Sequence, residues 1–254
     1  MKTPKTLFLA WKDPISPNWF TIGRLTFDKN IYQFVYTQGV KEAEEKCAFT
    51  PLLSFPRLNE VYTSTYLFPV FANRVMSRSR PDYSSFIEWL DLPDGGDDPL
   101  EILARSGGER VTDTFAVFPD PEVDEEGRYN LYFFSQGLRH LPRSAIDRSE
   151  RLEAGETLEF DREVQNPYVD LVLISNTGDR CIVGYFPRYL LAEIFEVLPH
   201  DVNLKVRVER VNKPTTPFQF RLLCKLSIHA LDDFRPFSSR QYQPLIAEIA
   251  LKSA

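Results

Sequence analysis

Residues 155–175 read GETLEFDREVQNPYVDLVLIS. Two strand-like runs, Glu156–Phe160 and Leu171–Ile174, flank Asn166-Pro167-Tyr168. A plain hairpin would use Asn-Gly or Asp-Gly between them. Asn-Pro-Tyr instead sets a rigid φ beside a ring that can stack. Tyr168 therefore serves either a core or a ligand.

Outward from this stretch the strand signal continues. Tyr129–Phe134 precedes it, and Arg180–Phe186 follows a turn at Thr177-Gly178-Asp179. Pro187 then opens a helix in which Leu190, Leu191, Ile194, Phe195 and Leu198 recur at helical spacing. Two more strands are predicted over Leu204–Val211 and Phe220–Ile228. Many strands with one clear helix imply a partly closed barrel with a helix packed on it.

Upstream, strands are predicted at Leu7–Trp11, Thr21–Phe27 and Ile31–Tyr36, the last with alternating Tyr32, Phe34 and Tyr36. Helices are predicted over Tyr66–Met76, Asp82–Leu90 and Pro99–Gly108, followed by a strand at Thr114–Phe118. Pro119–Gly127 carries two prolines, five acids and a terminal glycine. It reads as an exposed linker. The expected organisation is a domain at 1–118, an acidic linker at 119–127, a barrel at 128–235 and a tail at 236–254. Phe234 and Phe237 would dock that tail.

The net charge of −6 argues against a histone-like coat on nucleic acid. The distribution is uneven, however. Acids dominate from Glu88 to Glu126, and bases dominate from Lys205 to Arg240 through Lys205, Arg207, Arg210, Lys213, Arg221, Lys225, Arg235 and Arg240. A net-acidic chain can carry a local basic face; the plainer reading is solvated surface charge. Cys47, Cys181 and Cys224 form no CxxC pair and sit in apolar contexts, consistent with buried small residues and a reducing cytosol. No signal-peptide core or membrane span is evident, so a cytoplasmic location is expected.

Motifs for catalysis are missing. His140, His200 and His229 lack the spacing of a metal site, and there is no GxSxG, P-loop, post-strand GxGxxG or kinase set. The expectation is a non-enzyme with no cofactor and no metal.

Three ordered stretches are more specific: Gly137-Leu138-Arg139-His140-Leu141-Pro142, then Asn166-Pro167-Tyr168 after Gly155-Glu156, then Val183-Gly184-Tyr185-Phe186-Pro187-Arg188. Together, across roughly Tyr129 to Leu198, they resemble the HIRAN domain. The resemblance implies an OB-like β-barrel that binds single-stranded DNA and grips a free 3′ end. The fold class it completes is α+β, mainly β: a small N-terminal α+β domain, then an OB-like barrel with one packed helix. The implied nucleic-acid-binding residues are Arg139, His140, Asn166, Tyr168, Asp170, Tyr185 and Arg188. Tyr168 would stack on a base and Arg139 would hold phosphate. Where the family reads Asn-Pro-Tyr-Asp, this chain has Val169, with Asp170 one residue later. Such an offset turns a strand side chain to the other face. Either a bulge restores Asp170 or the contact with the 3′ end is lost.

The N-terminal part resembles the N-terminal subdomain of HipA-type toxin kinases. The stretches are Ile22-Gly23-Arg24-Leu25, Tyr32–Tyr36, Pro51–Pro56, Phe68–Val75 and Asp98–Gly108. The kinase core is absent. Two functions follow: a module for single-stranded DNA or DNA ends, or a regulatory subunit that holds a kinase-like partner in a toxin–antitoxin-like system. Neither involves a membrane.

Overall fold

Tyr36 and Phe34 end a strand with no exposed surface, and the first of two compact units is built on that strand. A computed structural model describes residues 5–92, 98–162, 171–175, 180–200, 204–229 and 235–246. The first unit comprises Met1–Arg80, Gly95–Asp120 and Phe237–Ala254; the second comprises Pro81–Asp94 and Pro121–Pro236. Both are mainly β, and each holds one antiparallel sheet.

In the first unit the elements are β1 (Lys5–Lys12), β2 (Trp19–Asp28), β3 (Ile31–Tyr36), α1 (Gly39–Cys47), β4 (Tyr62–Ser64) and α2 (Pro69–Ala72). Helix α3 (Tyr83–Trp89) belongs to the second unit, and α4 (Pro99–Ser106) and β5 (Phe115–Pro119) return to the first. The sheet order is β4-β3-β2-β1-β5. Lys29 and Asn30 both take positive φ, 46° and 63°, as a tight turn between β2 and β3 requires. One sheet face buries Leu7, Leu9, Phe34 and Tyr36 with Val40 of α1 and Leu103 of α4. Phe34 stacks on Phe55 at 3.9 Å between centroids. Asp98 caps α4 by accepting the Leu100 N–H at 2.8 Å.

Two expectations for this unit change. The helix predicted over Tyr66–Met76 is only Pro69–Ala72. It ends because Arg74 turns inward, its Nε donating to the Val70 carbonyl and its guanidinium pairing with Asp113. The tail is also no separate region. Phe237 packs against Phe8, Phe118 and Tyr242, and the Leu245 N–H donates to the Tyr36 carbonyl at 2.7 Å. Phe234 lies outside the described residues.

The second unit adds β6 (Arg128–Phe134), α5 (Arg143–Ser149), β7 (Thr157–Arg162), β8 (Leu171–Ser175), β9 (Ile182–Tyr185), α6 (Arg188–Val197), β10 (Leu204–Val211) and β11 (Leu222–His229). The sheet, ordered β6-β11-β10-β7-β8-β9, curls into a half-barrel. Strict alternation explains its two faces. Leu131, Leu226, Val206 and Leu158 form one buried row across four strands. Tyr132, Lys225, Arg207 and Thr157 form the neighbouring row on the opposite face.

Instead of one helix, the described residues of this unit form three α-helices. Helix α5 falls in a stretch with no helix expected, and α3 comes from the chain before the acidic run. Phe86 and Trp89 of α3 pack on Phe220, which meets Phe134 edge-on. Arg210 pins the helix end through Asp91 at 2.8 Å and Glu88 at 3.2 Å. These contacts join residues distant in sequence, so periodicity alone assigns α3 to the wrong neighbourhood.

The acidic stretch is not a bare tether either. Asp124 organises a turn that Gly127 completes at φ 71°. Its Oδ1 accepts the Glu126 and Arg128 N–H groups, both at 2.9 Å, and its Oδ2 accepts the Asn130 amide at 2.7 Å. These bonds hold its carboxyl well below the usual range, at about 2. The Arg128 N–H is the largest cause, desolvation opposes it, and Asn130 and Glu126 add to it. A depressed carboxylate contributes stability that is complete above its unfolded value of 3.8 and lost as pH falls toward 2. Wild-type urea midpoints should therefore fall in that acid window more steeply than those of Asp124→Asn. Parallel curves would remove Asp124 as the cause.

Candidate nucleic-acid interface

The half-barrel's edge strands meet at one place. Beyond β6, Gln136 forms an antiparallel bridge with Tyr185 at the end of β9. The Gln136 N–H donates to the Tyr185 carbonyl at 2.9 Å, and the Tyr185 N–H donates back at 3.1 Å. One residue earlier, the Ser135 hydroxyl donates to the Val183 carbonyl at 3.2 Å. Backbones approach so closely here that a Cβ on Gly184, at φ 141°, would stand 1.7 Å from Ser135 Oγ.

Tyr185 lies in this seam, and the turn carrying Arg139 and His140 begins at it. Gly137 takes φ 75° and leads into a 3-10 turn, Leu138–His140. A Cβ on Gly137 would lie 2.7 Å from Tyr185 Cδ2, so the half-buried Tyr185 ring stands over a glycine backbone. Leu138 is buried and anchors the turn, while Arg139 and His140 are exposed. The Arg139 Nε donates to His140 Nε2 at 2.9 Å. Arg139 makes no ion pair with an acid among the described residues. Past Tyr185 the chain buries Phe186, which stacks on Phe133 at 4.9 Å and meets Phe160 edge-on. Pro187 is the N-cap of α6 rather than its first residue, and the half-buried Arg188 begins the helix.

Gly137 and Tyr185 thus meet at the seam; Arg139 and His140 follow two and three residues after Gly137, and Arg188 three residues after Tyr185. Asn166, Tyr168 and Asp170 lie outside the described residues, as does the turn at 177–179. Sequence reading missed Ser135 and Gln136, whose backbone and hydroxyl make the closure. The only local signal is their position just before Gly137. Among the described residues, no group of three His, Cys, Asp or Glu could hold a metal ion, and no helix is long and apolar enough to cross a membrane. Cys224 is fully buried, whereas Cys47 and Cys181 are only half-buried.

No protein-family model, no curated protein and no solved structure matches the chain.

Proposed function

We propose that the chain is a non-enzymatic nucleic-acid-binding protein. Its second unit would be an OB-like barrel of the HIRAN type, receiving single-stranded DNA at the seam. The supporting observation is the exposed Arg139–His140 pair in the turn that follows Gly137, against whose backbone the Tyr185 ring stands where two edge strands join. Such a place combines a cation for phosphate, a π-face for a base and a rigid backbone to aim both. Arg139 binds phosphate, and His140 and Tyr185 flank the first nucleotide. Arg188 and the start of α6 add positive charge. By the HIRAN resemblance, Tyr168 supplies the stacking ring, and Asn166 and Asp170 are further contact residues. The half-barrel with joined edges agrees with this class of fold.

The test is fluorescence anisotropy with a labelled single-stranded oligonucleotide whose 3′ end is free or blocked. Arg139→Ala should weaken binding about 10-fold or more, the value of a charge-assisted hydrogen bond. Tyr168→Ala should cost ~1–3 kcal/mol. Indifference to the block would mean that Val169 has removed the end contact. Wild-type protein that binds no oligonucleotide at low salt would overturn the reading.

A second reading has its own observation. Ile15, Leu53, Tyr66 and Val111 are 96%, 102%, 82% and 106% exposed, and all four belong to the first unit. Where such side chains form one contiguous patch, they mark a surface that meets other proteins. The first unit would then hold a kinase-like partner in a toxin–antitoxin-like pair. Both activities can coexist, and a chain that captures no such partner when expressed from its native locus would count against the second.

A further inference from the structure

The second sheet carries a basic strip that the seam does not use. Of the bases in the C-terminal run, Arg210 is paired with Asp91 and Glu88, and Arg221 with Glu150 at 3.1 Å. Lys205, Arg207 and Lys225 make no ion pair among the described residues. Register places Arg207 opposite Lys225, and Lys225 opposite Tyr132, all on the outward face. Lys205 lies two residues from Arg207 on the same strand and face. The Lys225 ammonium stands 5.5 Å from the Tyr132 ring centroid. Lys205 and Arg207 are exposed, and Lys225 is half-buried.

On β7 the same face carries Thr157, Glu159, which pairs with Arg180 at 3.4 Å, and the exposed Asp161, while toward α3 it is closed. Phe134 and Leu223 are buried, with Phe220 and α3 packed over this end. The acid nearest along β6, Asp124, is engaged by Arg128 and Asn130. Between α3 and these β7 acids lies a group of three cations with no large exposed apolar side chain among them. Protein–protein interface cores are depleted in lysine and need apolar anchors, so this strip does not fit one. Neighbouring strands lie about 4.8 Å apart, and alternate residues about 6.6 Å apart along a strand. Arg207 and Lys225 stand at the first spacing and Lys205 and Arg207 at the second, so three positive charges lie within reach of neighbouring phosphates on the outer face of the half-barrel.

We infer that the outward strip of Lys205, Arg207 and Lys225 tracks the sugar-phosphate backbone of the single strand whose end sits at the seam. This rests on the seam reading for the identity of the ligand. Strand β6 links the two places: Tyr132 is five residues before Gly137, about 16 Å of extended chain. A short oligonucleotide would fill the seam alone, and a longer one would reach the strip.

The test uses the full chain and labelled oligothymidylates of about 4 and about 16 nucleotides. The variants are Lys205→Gln/Arg207→Gln/Lys225→Gln together, and Arg139→Ala. The triple variant should lower affinity for the long strand about 10-fold or more. It should also reduce the slope of log affinity against log salt by about 2, since each phosphate contact on a single strand contributes about 0.7. Its affinity for the short strand should be unchanged, and circular dichroism should report an intact fold. Unchanged long-strand affinity and slope, with loss in Arg139→Ala, would overturn the strip and leave the seam. Loss in the triple variant with none in Arg139→Ala would overturn the seam reading and keep the strip. No binding of either length by wild type would overturn both. Polyaspartate that competes as well as unlabelled oligothymidylate would reassign the strip to acidic proteins and overturn the nucleic-acid assignment.

Discussion

Gly184→Ala destabilises the second unit by about 3 kcal/mol or more, through two costs that add. The first is steric. A Cβ there would stand 1.7 Å from Ser135 Oγ and 3.1 Å from both Ser135 Cβ and the Gln136 carbonyl oxygen. Rotating the serine hydroxyl away breaks its bond to the Val183 carbonyl and still leaves the backbone contact. Overpacking of this kind costs ~1–3 kcal/mol. The second cost is conformational, because φ 141° is a region that glycine adopts freely and L-residues avoid. Urea unfolding of Gly184→Ala beside Gly184→Ala/Ser135→Gly separates the two. The double variant should recover the steric part and keep the conformational one. A single variant as stable as wild type would mean that the edges do not close as described. Since Tyr185 and Gly137 stand next to this contact, the proposed oligonucleotide binding at the seam predicts that the same substitution weakens it.

Asp113→Ala is expected to destabilise the first unit by about 3–5 kcal/mol, the cost of leaving a buried charge without its partner. Arg74 is 3% exposed at its side chain. Its guanidinium donates to Asp113 Oδ1 at 3.0 Å and Oδ2 at 2.7 Å, in the fork geometry of arginine and carboxylate. It also donates to the Gly108 carbonyl at 2.9 Å, and its Nε donates to the Val70 carbonyl at 2.8 Å. The Phe115 ring lies 5.4 Å away. With Asp113 gone, those neutral acceptors cannot balance the charge. Arg74→Met/Asp113→Ala should be more stable than Asp113→Ala alone, because the double variant removes the stranded cation with its partner. Thermal unfolding of the four proteins in the cycle checks this. A double variant that loses the sum of the two single effects would show that the pair is not coupled.

The two sites show why local reading stops where it does. Arg74 sits in a stretch whose apolar spacing suggests a helix through Met76, and nothing nearby indicates a partner 39 residues away. At the seam, the Gly137 and Gly184 stretches stand out in the sequence. Their mutual approach, and the closure made by Ser135 and Gln136, depend on two strands at opposite edges of one sheet.

By itself the sequence determined what repeats locally. Alternation of Tyr32, Phe34 and Tyr36 in Ile31–Tyr36 specified a strand, because the pleat exposes every second side chain to one environment, and apolar, β-favouring runs marked Tyr129–Phe134 and Leu204–Val211. Pro99 and Gly107 bounded α4, and Asp98 before them capped it. Only the tertiary structure decided which elements share a core. It moved α3 onto the second sheet, drew the tail onto Phe8 and Phe118, and turned the acidic stretch into a turn around Asp124. It also divided the basic run into arginines engaged in ion pairs and an open strip. Charge and burial depend on partners brought together by register and packing, and those partners lie far beyond the window in which periodicity carries information.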